Sequence, residues 1–534
     1  MGGNTNLINR VNVGDSLTRT AARTPGAVAV VDGGRRFRYA ELNAWVNRVA
    51  HGLAARGYRR GDALAIASGN SVEFLVTYYA CAKLGVVCVP VNLGWRPDEV
   101  AYVLGHSSSR GLVIEAQLVP ALAAAIGEVP GVADIIVAPG TGGEGAGADG
   151  AGNLAGRRLL TFAELADGAP GTEPEHVVGD RDPITYLYTS GTTSAPKGVV
   201  GNHTAIYLES LTMAMEARFD ASDRFVAMLP MFHTAQLNCH CTPAIMTGAT
   251  IYVRRAFDAG ELLRQIEAER ITQIFGLPMM YRLMLDHPDI GSRDLSSLRR
   301  ACYAMAPMPD EQLRRCIEVF GCDFYLLFGQ TEMSPTSTMF RPEHQLSHSG
   351  AVGTPVVNVQ VAIMDERGRL LPHGQQGEIV YRGPHTMTGY LDDPEATGRA
   401  FEHGWFHSGD VGHFDDDGIL WFDDRRKDVI KSGGENVASI EVEKAIYAAD
   451  ENVAEAVVVG LPHDHWGEAI TAVVVPRPGT TLDGEQLAAE VKRLIDPYKV
   501  PKAVIVTDAL PRTSTGKVQK NVLRDNLSGH YGRP

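Results

Sequence analysis

The chain has 534 residues, 44% of them hydrophobic, and a formal net charge of −14. That length predicts more than one domain, and the acidic balance excludes a broad nucleic-acid surface, which needs an excess of Lys and Arg. No apolar run approaches the roughly 20 residues of a spanning helix, and the start MGGNTNLINR lacks the basic-then-apolar pattern of a signal peptide, so the expected location is the cytoplasm.

The first 110 residues alternate helix and strand signals. Leu42, Trp45, Val46, Val49 and Leu53 share one helical face, residues 63–67 read as a short buried strand, and Phe74, Leu75, Tyr78, Tyr79 and Ala82 mark a second helix before a strand at 86–91. This pattern predicts α/β architecture. Residues 139–156, almost all Gly and Ala, read as a surface loop. The seven cysteines include no CxxC pair, and Cys239-His240-Cys241 offers three metal ligands but no fourth nearby, so buried thiols account for them better.

After the charged run 423–428 a second unit begins. Val442, Ile446 and Ala449 predict a helix from Ser439, with strands near 457–459 and 470–475, a helix carrying Leu487, Val491 and Leu494, and a strand at 503–506. The expected division is a large domain over residues 1–426 and a small α+β domain over 427–534.

The segment with the most chemistry in it is Thr189, Ser190, Gly191, Thr192, Thr193, Ser194, Ala195, Pro196, Lys197. An apolar strand at 184–188 runs into a loop of hydroxyls and glycines, and a helix-like stretch occupies 202–216. Such a loop can offer N–H and O–H donors to a polyphosphate, with Lys197 adding charge, although an ordinary polar turn has the same composition. The spacing is not that of GxxxxGK[ST].

In this order the string resembles the phosphate-binding motif of the adenylate-forming superfamily, which includes acyl-CoA synthetases, peptide-synthetase adenylation domains and beetle luciferases. The sequence LFGQTE ending at Glu332 resembles that family's YGxTE motif, and GWFHSGD ending at Asp410 its GW[FL]xTGD segment. DRRKDVIKSGGEN from Asp424 resembles its hinge and following loop, and PRTSTGK ending at Lys517 its C-terminal lysine motif. The similarity spans residues 15–525.

The resemblance implies an ATP-dependent acyl-CoA ligase that joins a carboxylic acid to AMP with release of pyrophosphate and then passes the acyl group to the thiol of coenzyme A with release of AMP. Lys517, Lys197, Glu332 and His233 become the expected catalytic residues, with Glu332 holding Mg2+. The nucleotide and coenzyme A are expected on residues 189–194, Ala304, Phe328, Gly329, Gln330, Thr331, Asp410 and Arg425, and on Lys431, Ser432, Gly433, Gly434 and Glu435. Phe232, His233, Met305 and Ala306 would line the acyl pocket, and Lys427 would be the pivot of the small domain. No further cofactor, nucleic acid or membrane span is expected, and a homodimer is the default assembly.

Three positions depart from the family's common residues: Ser194 for Gly, Phe328 for Tyr, and the loop Ala304-Met305-Ala306 where small residues are usual. The last raises an alternative, a ligase impaired in adenylation that thioesterifies a preformed acyl-adenylate. Loading of a separate carrier protein is a second alternative, and a noncatalytic binding protein on the same scaffold a third.

Overall fold

The computed structural model describes residues 3–140, 154, 157, 159–189, 196–305, 308–512 and 518–532. They pack as two compact units, one formed by Met1–Val361 with Tyr381–Phe406, the other by Ala362–Val380 with His407–Pro534. Most of the predicted Gly/Ala loop lies outside the described residues. No helix among the described residues is long and apolar enough to cross a membrane.

The first unit holds an eight-stranded and a nine-stranded sheet. In the former, Ala63–Ala67, Val87–Pro90, Ser109–Glu115 and Asp134–Ala138 run parallel. Ala63–Ala67 is buried at every residue, because crossover helices such as Val72–Leu84 cover the sheet. The sequence reading gave Val72–Leu84 one apolar face, yet the helix is buried all round. Its two charged residues are paired: Glu73 with Arg35 at 2.5 Å, and Lys83 with Asn43, Asn47 and Glu173 at 2.6–2.7 Å. Burial lowers the Lys83 pKa against the opposing pull of Glu173. Ser71 caps the helix by accepting the Phe74 N–H, and Gly85 ends it at φ +70°.

In the nine-stranded sheet, Arg224–Ala227, Thr250–Val253, Gln273–Gly276, Arg300–Tyr303 and Asp323–Gly329 run parallel. The order turns antiparallel at Thr336–Phe340. That reversal makes residues 330–335 a short connection at the carboxyl end of the parallel run, where α/β sheets hold their ligands.

The second unit holds two five-stranded sheets. Helix Ser439–Ala449 buries Val442, Ala445 and Ile446 against Val453–His463 and Gly467–Pro476. Strand Ala503–Val506 lies parallel to Gly467–Pro476. The expected helix through Leu494 is shorter than its pattern suggested: it spans Gly484–Val491, and Leu494 is 51% exposed.

Cys239, His240 and Cys241 lie on one buried helical stretch, Leu237–Cys241. The His240 ring is stacked between Phe275 at 4.2 Å and Phe225 at 5.2 Å. Burial pushes the imidazoles of His203 and His240 down to about 4. An unfolded histidine near 6.5 takes up its proton first as pH falls, so the native state loses stability between about pH 6.5 and 4. Melting temperature is therefore expected to drop through this window, and His240→Phe to flatten the drop by on the order of 3 kcal/mol. An unchanged slope in that variant would mean that His240 charges in the native state.

Candidate active site

Strands Pro183–Thr189 and Lys197–Asn202 pair antiparallel, with Tyr188 opposite Gly198 and Thr189 opposite Lys197. The proposed phosphate loop is the connection of this hairpin; Ser190, Gly191, Thr192, Thr193 and Ser194 lie outside the described residues, while Thr189 ends the first strand. The sequence reading passed from loop to helix and missed the strand Lys197–Asn202, after which helix His203–Glu216 begins with Asn202 as its cap. Gly198 has no room for a side chain without crowding, since an added Cβ would lie 3.2 Å from Leu391 and from the Tyr188 ring.

The two-residue strand Gly389–Tyr390 joins this hairpin, Tyr390 opposite Val199. The Tyr390 ring lies 4.9 Å from Lys197 Nζ, and its hydroxyl donates to Glu332 Oε1 at 2.9 Å. Lys197 and Glu332, distant in sequence, are thus brought to one aromatic side chain that motif reading did not single out. Burial, with the Glu332 charge second, holds the Tyr390 phenol far above its ordinary range, so it stays a donor.

Glu332 sits on the turn Thr331–Met333 directly after strand Asp323–Gly329. Its carbonyl accepts the Met387 N–H at 2.7 Å. Gly329 is fixed by sterics: a Cβ there would lie 2.0 Å from the Pro335 carbonyl oxygen, which also accepts the Gln330 N–H at 3.0 Å. Phe328, Gln330 and Thr331 are half-buried beside it. The Gln330 Nε2 is sealed from solvent and has no partner among the described residues.

His233 follows a segment held by Asn70, whose Oδ1 accepts the Met231 N–H at 2.8 Å and whose Nδ2 donates to the Leu229 carbonyl at 2.8 Å. Asn70 is 3% exposed and escaped the sequence reading, since its partners lie about 160 residues away. The rings of Phe232 and His233 are 4.6 Å apart. His233 Nε2 is sealed and unpartnered among the described residues, and burial pushes the imidazole down to about 4, which leaves it neutral at neutral pH. Ala304 is buried, and Met305 sits at φ +71° with 54% of its surface exposed. Ala306 lies outside the described residues.

In the second unit, Asp410 on Phe406–Phe414 faces Arg425 at the end of Leu420–Arg425 in antiparallel register. Arg425 Nε and Asp410 Oδ1 form an ion pair at 2.7 Å, with the carboxylate buried and the guanidinium a third exposed. Lys427 is exposed between two anchored carboxylates. Asp424 accepts the Ser439 N–H at 2.5 Å, and Asp428 pairs with Arg524 at 2.7 Å. Burial raises the Asp424 pKa against the neighbouring Lys520.

Beyond Lys427, Ile430–Ser432 and Glu435–Val437 form a hairpin whose two-residue turn is Gly433 and Gly434, at φ +62° and +90°. Lys431 and Glu435 are exposed, whereas Ser432 is buried. Lys517, the expected catalytic lysine, lies outside the described residues. No group of three or more His, Cys, Asp or Glu among the described residues is placed to hold a metal ion.

The AMP-binding enzyme family matches residues 17–391 and the AMP-binding enzyme C-terminal domain residues 441–517. The chain is 36% identical to a feruloyl-CoA synthase of Amycolatopsis sp, over 96% of this chain and 98% of that one. It is 33% identical to indoleacetate–CoA ligase of Aromatoleum aromaticum, over 95% of this chain and 96% of that one. Its fold matches ATP-bound MatB of Rhodopseudomonas palustris with a TM-score of 0.87 at 29% identity, over 98% of this chain and 100% of that one. The chain belongs to the AMP-binding enzyme family, within the adenylate-forming superfamily, with the large N-terminal and smaller C-terminal domains of that fold. Its class of activity is ATP-dependent acid–thiol ligation by way of an acyl-adenylate.

Proposed function

We propose that this ligase activates a hydrophobic, aromatic monocarboxylic acid and delivers it to coenzyme A. The observation that carries the site assignment is the convergence of Lys197 and Glu332 on Tyr390, a cation and a carboxylate beside the hairpin whose loop bears the phosphate motif. The aromatic substrate rests on the feruloyl-CoA and indoleacetate relatives, and on Phe232 beside an uncharged His233.

In the first half-reaction an oxygen of the substrate carboxylate attacks the α-phosphorus of ATP, and pyrophosphate leaves. Both reactants are anions, so Lys197 and Lys517 serve to offset charge on the transferring group. Glu332 fits Mg2+: it is a hard oxygen donor whose Oε2 has no partner among the described residues, and one carboxylate with substrate phosphates is a usual magnesium environment. Bound there, the ion would neutralise phosphate charge. Asp410 accepts from the ribose hydroxyls, and Arg425 pairs with that carboxylate and orients it.

In the second half-reaction the thiol sulfur attacks the acyl carbonyl carbon and AMP leaves. Residues 427–534 then act as a mobile domain against a core of 1–426, pivoting at the exposed Lys427 and exchanging Lys517 for the Lys431 to Glu435 hairpin at the site. His233, neutral at neutral pH, serves as a wall of the acyl pocket rather than as a proton donor. Cytoplasmic residence and a homodimer belong to the same proposal.

The test is mass spectrometry of reactions containing ATP, Mg2+, coenzyme A and a panel of aromatic, fatty and polycyclic acids, run beside reactions given synthetic acyl-adenylates without ATP. Acyl-CoA and AMP formed from free aromatic acids is the expected result. Thioester formed only from supplied adenylates would favour a ligase impaired in adenylation, with the exposed, left-handed Met305 as the first residue to replace. Product only with a pantetheinylated carrier protein would move the acceptor away from coenzyme A.

A further inference from the structure

We propose that Tyr390 is a positioning residue of the adenylation half-reaction: its hydroxyl fixes the Glu332 carboxylate and its ring seats the Lys197 ammonium, so one side chain sets both charges that face the phosphates. The inference rests on the site assignment above.

Tyr390 is held from several directions. Gly389–Tyr390 pairs with the strand that begins at Lys197. Leu391 N–H donates to the Gly198 carbonyl at 2.8 Å, and Thr388 N–H to the Val200 carbonyl at 2.9 Å. The Tyr390 N–H donates to Thr397 Oγ1 at 2.9 Å, and Asn202 Nδ2 to Thr388 Oγ1 at 3.0 Å. A few residues upstream, Met387 N–H holds the Glu332 carbonyl. The Tyr390 backbone therefore cannot shift without moving the strand that carries Lys197, and Glu332 is tethered both by its backbone and by its side chain.

The chemistry of the two contacts is complementary. A hydroxyl donating to a carboxylate makes a strong, charge-assisted bond that removes one oxygen from play and aims the other. The face of the ring attracts an ammonium, but it cannot neutralise it by taking a proton. Seated on the ring, the ammonium has its position defined while its N–H groups stay available to the phosphates.

The test separates hydroxyl from ring. Tyr390→Phe keeps the ring under Lys197 and loses only the bond to Glu332; Tyr390→Leu loses both. Affinity for the α,β-methylene analogue of ATP is measured by calorimetry as Mg2+ is titrated, beside ATP–pyrophosphate exchange, thioester formation from a supplied acyl-adenylate, and melting temperature. For Tyr390→Phe, the Mg2+ concentration giving half-maximal analogue affinity is expected to rise about 10-fold. Exchange should fall with it, while melting and the thioester step stay near wild type. Tyr390→Leu should bind the analogue more weakly even at saturating Mg2+. A purely structural role would instead move melting and both half-reactions together, and a Tyr390→Phe protein with the wild-type Mg2+ profile would also overturn the inference. Failure of the functional reading looks different: the wild-type chain itself would show neither exchange nor Mg2+-dependent analogue binding.

Discussion

Replacing Lys517 with Ala is expected to lower ATP–pyrophosphate exchange by about 10²- to 10³-fold, the usual cost of removing one preorganised partner of developing charge. Thioester formation from a supplied acyl-adenylate should change little. The asymmetry follows from the two chemistries. Adenylation brings a carboxylate against a polyphosphate, and no other step of the cycle needs as much positive charge at one place. Thioester formation transfers an acyl group to sulfur with AMP departing, and the residues assigned to it are those of the hairpin after Lys427. Both rates are measured on one preparation, exchange with radiolabelled pyrophosphate and the second step by thioester absorbance. Equal loss in both would dissolve the division of labour between Lys517 and the Lys431 to Glu435 hairpin.

Gly329→Ala should be the most damaging single-methyl change in the site, destabilising the fold by on the order of 3–5 kcal/mol and abolishing exchange in whatever protein remains soluble. The added carbon would sit 2.0 Å from one backbone atom of Pro335 and 2.9 Å from the amide nitrogen of Ser337. Neither can rotate away as a side chain could. Relief requires moving residues 330–335, which carry Glu332. Gly434→Ala is the control: its φ of +90° is unfavourable, but nothing lies within 4 Å of the added carbon, so the cost is about 1–2 kcal/mol of left-handed backbone strain. Thermal melting and exchange assays of the two variants check the contrast. Comparable behaviour would mean that the turn before Glu332 is more pliable than its packing indicates.

The motifs were legible because each keeps its chemistry within a few consecutive residues: Thr189 to Lys197, Phe328 to Glu332, Asp424 to Asn436. Period and burial likewise exposed helices Tyr39–Ala55 and Ser439–Ala449 and strand Ala63–Ala67. Strand Lys197–Asn202 was hidden because glycines at 198 and 201 interrupt its apolar alternation, and only pairing on both sides identifies it. Tyr390 and Asn70 were hidden for a different reason. Each acts on residues 58 to 193 positions away, and no local pattern marks a tyrosine that will meet a glutamate across the fold. A Gly-Tyr pair that returns to the phosphate hairpin would have been the signal, had the pairing been known. The full burial of Val72–Leu84 was also illegible, since the charges of Glu73 and Lys83 can be buried only because Arg35 and Glu173, distant in sequence, meet them.

The hairpin around the phosphate motif has a consequence for how the nucleotide is retained. Many nucleotide loops open straight into a helix, whose N-terminus adds a permanent partial positive charge of about one half beneath the phosphates. Here the loop feeds a strand instead, and helix His203–Glu216 starts only at the strand's far end, about 20 Å away at the rise of an extended chain. On the proposed site, no fixed macrodipole from this helix lies beneath the polyphosphate. On the proposed reading the attraction comes from loop donors and discrete cations, and the cationic part of that grip loosens once those cations withdraw or depart with the leaving group. On the same proposal pyrophosphate would then escape while the acyl-adenylate, held through its ribose and acyl ends, stays behind for the thiol.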